Sequence, residues 1–87
     1  MDTSKQIEQK CDAIKELLIG KNKAYGDSAL NPSNIFGRGN AIDNLGCRLD
    51  DKLMRIKNSG INDLTEDTIS DIIGYLILLQ IAIDRSK

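Results

Sequence analysis

Apolar residues recur at helical intervals over three stretches of the chain and lose that rhythm over a fourth. In the first stretch Ile7, Cys11, Ile14 and Leu18 fall three or four residues apart, with Leu17 beside them, which is the spacing of one helix face. This predicts a helix over residues 4–19, opened by Thr3 and Gln6 at capping-box spacing and stopped by Gly20. In the second stretch Ile42, Leu45, Leu49, Leu53 and Ile56 are spaced 3, 4, 4 and 3. A helix over 41–58 follows, with Asn40 as its N-cap and Asn58-Ser59-Gly60 as its end. A third helix is predicted from just after Thr65 to about Arg85, where Glu66 and Asp67 suit the positive end of the helix dipole.

The third helix is apolar on nearly every face, through Ile69, Ile72, Ile73, Leu76, Ile77, Leu78, Leu79, Ile81 and Ile83. A helix that is hydrophobic all round is buried all round. Two partner helices of ordinary length cover only part of it, so another copy of the chain is expected to cover the rest. The expected fold is all-α: a three-helix unit with a long ordered loop between helices 1 and 2, assembled into an oligomeric helical bundle. The whole of residues 1–87 is read as one domain.

The rhythm is lost over residues 21–40, KNKAYGDSALNPSNIFGRGN. Irregular segments of this length are uncommon in compact domains unless they are functional or disordered. Tyr25, Ile35 and Phe36 are residues that disordered tracts tend to lack. The expectation is therefore a binding element.

Charge narrows what it binds. Twelve Lys and Arg against 13 Asp and Glu give a net charge of −1, so the basic footprint of a protein that binds polymeric nucleic acid is missing. There is no His, and Cys11 and Cys47 are isolated. That excludes the usual zinc spacings, His-based acid–base chemistry and His-activated nucleophiles, and a reduced, cytosolic protein is the simplest reading. The polar N-terminus does not read as a signal peptide. The most apolar run, Ile72 to Ile83, is too short to span a membrane.

Two constellations can carry chemistry. The first is cationic and aromatic. Lys21 and Lys23 follow helix 1, Arg38 lies between Gly37 and Gly39, and Arg48, Asp51, Lys52 and Arg55 share one side of helix 2. Arg48 and Arg55, about two turns apart, suit bidentate contacts to phosphates. Tyr25 and Phe36 offer faces on which a base can stack, and Asn22, Asn31 and Asn34 can read base edges. The backbone of "GRGN" before helix 2 is placed to hold an anion. The same helix-2 residues also fit an intrahelical ladder, Arg48 to Asp51 and Asp51 to Arg55, of little energetic worth. Phe36, with Ile35, fits an anchor for the loop equally well. The second constellation is acidic: Glu66, Asp67 and Asp71, with Tyr75 on the same face of helix 3. Acids at that spacing call for a cation opposite, either Mg²⁺ or a Lys or Arg of another helix, unless they form a plain solvated helix start.

"KNKAYGDSALNPSNIF", "RLDDKLMRIKN" and "EDTISDIIGYLILLQIA", in that order over residues 21–83, resemble the nucleotide-modification-associated domain proteins of phages and prophages. The resemblance implies a nucleotide as ligand. The third block is also similar to the second acidic motif of the MazG-like all-α nucleotide pyrophosphohydrolases, in which Glu66, Asp67 and Asp71 would be Mg²⁺ ligands. Asp67 and Asp71 stand one place further apart than in those enzymes. Helix 2 offers only Asp50 and Asp51 where they carry a Glu cluster, with Met54 and Arg55 in the remaining acidic positions. Several carboxylates from two helices are needed to hold the metal and polarise water. The expected function is therefore binding without turnover. A small protein would hold a nucleotide or cyclic-nucleotide signal without a cofactor, similar in kind to viral sponges that sequester nucleotide immune signals, in the host cytosol if phage-encoded. The alternative is a Mg²⁺-dependent pyrophosphohydrolase-like enzyme or an accessory protein of nucleotide modification.

Overall fold

The computed structural model describes residues 2–35 and 37–87, with the backbone alone at Asp63. Three helices follow one another: α1 (Thr3–Ala24), α2 (Ala41–Ser59) and α3 (Glu66–Arg85), with a single 3₁₀ turn (Asp63–Thr65) leading into α3. Among the described residues there is no strand.

The helix ends show which local signals won. Asp2, not Thr3, caps α1, its carboxylate accepting from the Ser4 amide at 3.1 Å. Gly20 does not stop α1, which runs on to Ala24. The stop is Gly26, left-handed at φ 60°. Its amide donates to the Lys23 carbonyl and the Asp27 amide donates to the Asn22 carbonyl, the paired bonds of a Schellman ending. Asn40 caps α2 as expected, accepting from the Asp43 amide at 2.9 Å, and Gly60 closes it. Thr65 does not cap α3. Its hydroxyl is buried in the preceding turn, donating to the Asn62 carbonyl at 2.7 Å and accepting from the Asn62 amide at 3.1 Å.

Packing is centred on α2 against α3, with α1 lying more lightly on α3. Leu45, Leu78 and Ala82 form the buried core, with Leu18, Ala29, Leu30, Ile42, Tyr75 and Leu79 around it. Gly74 marks the place where α1 crosses α3: a Cβ there would lie 3.3 Å from Leu18 Cδ1. The α2 stripe is not the expected one. Leu53 is exposed, and the half-buried residues after Leu45 are Gly46, Leu49, Lys52 and Ile56. A lysine holds a core-facing position.

The segment 21–40 is shorter as a loop than expected. Its first four residues belong to α1, and the next turn folds back so that Ala29 and Leu30 pack on the core. Asn31 donates to the Asp27 carboxylate at 2.7 Å, fixing that turn. Ile35 is exposed and pins nothing. Phe36, the second expected anchor or stacking residue, lies outside the described residues.

The single chain leaves much surface in water. Its accessible area is 6770 Å², against roughly 5,100 Å² for a folded monomer of this mass. Its radius of gyration is 14.4 Å, against roughly 12 Å for a compact domain of this length. The expectation that α3 is buried all round is not met within one chain: Gly74, Leu78 and Ala82 are buried, whereas Ile69, Ile73, Leu76 and Ile83 are not. No helix of the described residues is long and apolar enough to cross a membrane.

Candidate functional site

Where the C-terminal half of α1, the middle of α2 and the first half of α3 meet, they enclose a cleft of about 450 Å³, within the usual range for small-molecule sites. Its floor is apolar, formed by Ile14, Leu17, Leu18, Gly74 and Leu78. Its walls carry Lys21, Asn22 and Tyr25 from α1 and the turn after it, Arg48 and Lys52 from α2, and Ser70, Asp71 and Tyr75 from α3. The continuation of α1 through Gly20 is what places this set. It extends the helix by one turn and brings Lys21 and Asn22 onto α3.

Asp71 is the hub. Lys52 Nζ donates to its Oδ2 at 2.9 Å and Lys21 Nζ to its Oδ1 at 3.1 Å, so one carboxylate of α3 ties down both α1 and α2. Burial pushes the Asp71 carboxyl up, but the two lysine hydrogen bonds outweigh it and hold it below its ordinary value. In turn the hydrogen bond to Asp71 raises Lys21 above its ordinary value, against a smaller opposing effect of desolvation. Arg48 stands beside them, its Cζ 5.9 Å from the centroid of the Tyr75 ring, at the outer limit of a cation–π contact. Among the described residues Arg48 makes no ion pair. Three cations against one carboxylate leave the cleft with two uncompensated positive charges, in a chain whose net charge is −1.

Of the residues singled out in the sequence for ligand binding, Lys21, Asn22, Tyr25, Arg48 and Lys52 come together here. Asp51 and Arg55 are exposed on α2 outside the cleft, and neither pair of the anticipated helix-2 ladder forms. Arg38 is exposed away from the cleft, and Asn34 donates its amide to the Gly39 carbonyl at 3.2 Å. The α2 N-terminus is served by its own side chains. Asn40 caps it, and the Asp43 carboxylate lies so close to Gly39 that a Cβ there would come within 3.2 Å. Asn40 thus takes the Asp43 amide, and the Asp43 carboxylate sets a negative charge beside the "GRGN" backbone. Three polar wall residues, Ser28, Ser70 and Tyr75, were not foreseen as binding groups. Spacing gave no signal that Lys52 faces inward: the series 42, 45, 49, 52, 56 and 42, 45, 49, 53, 56 span equal arcs of a helix face.

The acidic set does not assemble. Glu66 faces Lys10 across exposed surface at 3.8 Å, Asp67 is exposed, and Asp71 is engaged by two lysines. Among the described residues no group of three His, Cys, Asp or Glu is placed to hold a metal ion. The cations that the acidic face called for are lysines, not Mg²⁺, so the donor set does not fit the metal of the hydrolase alternative. Comparison of the chain with protein-family models, curated proteins and solved structures found no match.

Proposed function

We propose that the cleft binds a phosphate-bearing, nucleotide-derived small molecule, holds it without chemical change, and does so in an assembly of several copies of the chain. The observation that carries the reading is the gathering of Lys21, Arg48 and Lys52 in one cleft that holds a single carboxylate, with an apolar floor and with Tyr25 and Tyr75 at the walls. A phosphate monoester carries roughly −1.5 to −2 charge at neutral pH, close to the positive charge that Asp71 leaves uncompensated. Arg48, having no ion-pair partner among the described residues, is the group offered to the phosphate, since a guanidinium fork binds phosphate bidentately. The two lysines are pre-positioned by Asp71 and add charge at fixed places. The tyrosine rings and the apolar floor suit a base. This is the division of labour expected of a nucleotide site: charge for the phosphate, flat apolar surface for the base. The phage-family resemblance in the sequence points to the same ligand class.

Sequestration is preferred to hydrolysis because the one carboxylate of the cleft is neutralised by two hydrogen-bonded lysines, leaving no acidic pair to hold a metal or activate water. The test is a thermal-shift and calorimetric screen of mononucleotides, nucleoside diphosphates and cyclic oligonucleotides, each with and without EDTA. At a hundredfold excess over Kd, a ligand confined to the native state adds about 2.7 kcal/mol of stability. The expected result is EDTA-insensitive binding, with the ligand recovered intact after heat denaturation. Metal-dependent turnover lost in Asp67→Asn or Asp71→Asn would replace this reading with the pyrophosphohydrolase one. No stabilisation by any member of the screen would remove the nucleotide reading.

A further inference from the structure

The face of α3 turned away from the cleft has a regularity of its own. Ile69, Ile73, Leu76, Gln80 and Ile83 follow one another at intervals of four, three, four and three, the a/d alternation of a coiled-coil seam. All five are exposed, the four aliphatic ones by 39% to 47%. On the other face of the same helix Gly74, Leu78 and Ala82 are buried. A stripe that is aliphatic but for Gln80 therefore runs the length of α3 and, among the described residues, stays exposed.

We infer that a second copy of this chain covers the stripe, its α3 packed antiparallel to the first about a two-fold axis at Leu76. Area supports an interface of this size. The chain exposes 6770 Å², about 1,700 Å² more than a compact monomer of its mass, and a standard interface buries about 800 Å² per partner. The helix dipoles select the direction: antiparallel pairing opposes the two α3 dipoles, whereas parallel pairing aligns them. The charges at the ends of α3 are engaged within the chain, Glu66 with Lys10, Arg85 with Asp27 and Lys87 with Asp84, and do not decide it. Ile69 and Ile83 each stand seven residues from Leu76, so the axis brings Ile69 of one copy to Ile83 of the other. Gln80, the one polar member, fixes the register at some cost in stability, as single polar residues at seam positions do. The stripe lies opposite the cleft, so pairing leaves both clefts open. The inference names the surface behind the assembly proposed above and does not depend on what the cleft holds.

Cysteine cross-linking of the full chain tests it, with Cys11 and Cys47, both exposed, first changed to Ser. A mixture of the Ile69→Cys and Ile83→Cys variants should give a covalent dimer on oxidation or with a short bis-maleimide, as should Leu76→Cys alone. Ile69→Cys alone should not. A dimer from Ile69→Cys alone would establish parallel pairing and overturn the proposal. An assembled particle with none of these cross-links would also overturn it, placing the interface elsewhere. Light scattering that finds a 9.6 kDa particle at micromolar concentration would overturn the pairing and the assembly together. In an intact-helix control, Leu76→Glu should halve the scattering mass while the circular dichroism per residue is kept.

Discussion

The two faces of α3 differ in residues and in surroundings, and in the opposite sense to the usual rule. One face buries the smaller Gly74 and Ala82 with Leu78 against α1 and α2 and carries Asp71 at the cleft. The opposite face holds the larger aliphatic residues Ile69, Ile73, Leu76 and Ile83 and leaves them exposed. Hydrophobicity alone does not decide which face is buried; partners do. The inner face has two helices of its own chain, and they are held in place partly by a polar device. Asp71, half-buried beside a very small core, would be costly there without hydrogen bonds, and the two lysines that supply them come from different helices. The outer face has, among the described residues, no such device, and its regular spacing is what the proposed pairing rests on.

The largest effect should come from the core that faces the inner side. Leu45 is 1% exposed, and Leu45→Ala should cost about 2–5 kcal/mol, enough to unfold a chain this small or to leave it folded only when assembled. Denaturant titration at two protein concentrations separates these outcomes. In the cleft, Arg48→Ala should weaken binding of the nucleotide found in the screen by about 1.5–3 kcal/mol, the worth of a charged hydrogen bond, with the helical signal unchanged. Arg55→Ala, on the same helix but outside the cleft, should leave affinity unchanged. Equal losses in both would show that the phosphate lies along α2 rather than in the cleft.

Asp71→Asn should destabilise by about 1–2 kcal/mol, a charged hydrogen-bond loss discounted for partial exposure. It should also change the pH dependence. A carboxyl held below its ordinary value of 3.8 contributes fully above that pH, and its contribution fades as the pH falls through the lower folded value. Lys21 behaves in the opposite sense: raised above 10.5, it contributes fully below that pH and less as the pH climbs through its folded value. Stability curves from pH 2 to 5 should therefore be shallower in Asp71→Asn than in the parent, and identical slopes would contradict the clasp. The smallest effect is expected at Leu53, exposed on α2: Leu53→Gln should stay within about 0.5 kcal/mol by denaturant titration.

That last prediction reverses what the hydrophobic pattern suggests, and it shows where the sequence was legible. The three helices, the α2 cap at Asn40 and the all-α class follow from periodicity and local chemistry, which act within a few residues. The end of α1 was missed because two glycines compete. Gly20 costs a helix interior about 1 kcal/mol, which contacts around Leu18 and Lys21 offset, while Gly26 has the bonds of a helix stop. Lys52 was missed as a core-facing residue because an apolar neighbour, Leu53, looked like the natural member of the stripe. Only the carboxylate of Asp71, nineteen residues away, makes the lysine acceptable there. The same long-range pairing turned an apparent metal-binding acid into the holder of two lysines. Half of the candidate binding residues converge. Of those that do not, Asn34 and Arg38 belong to the loop. Asp51 and Arg55 share a side of α2 with Arg48 in the sequence pattern yet lie outside the cleft, whose position depends on how α1 and α3 cross α2.

In the proposed reading the cationic cleft, and not the loop or the outer face of α2, takes the phosphate. Amide and side-chain NMR of the full chain, titrated with AMP, ADP and cyclic di-AMP at low and at physiological salt, tests it most directly. Saturable shifts at Lys21, Arg48, Lys52 and Tyr75 with at least one of these probes, abolished by Arg48→Gln, are the expected result. Saturable shifts confined to residues 32–40 or to Arg55, with the cleft silent, would contradict it.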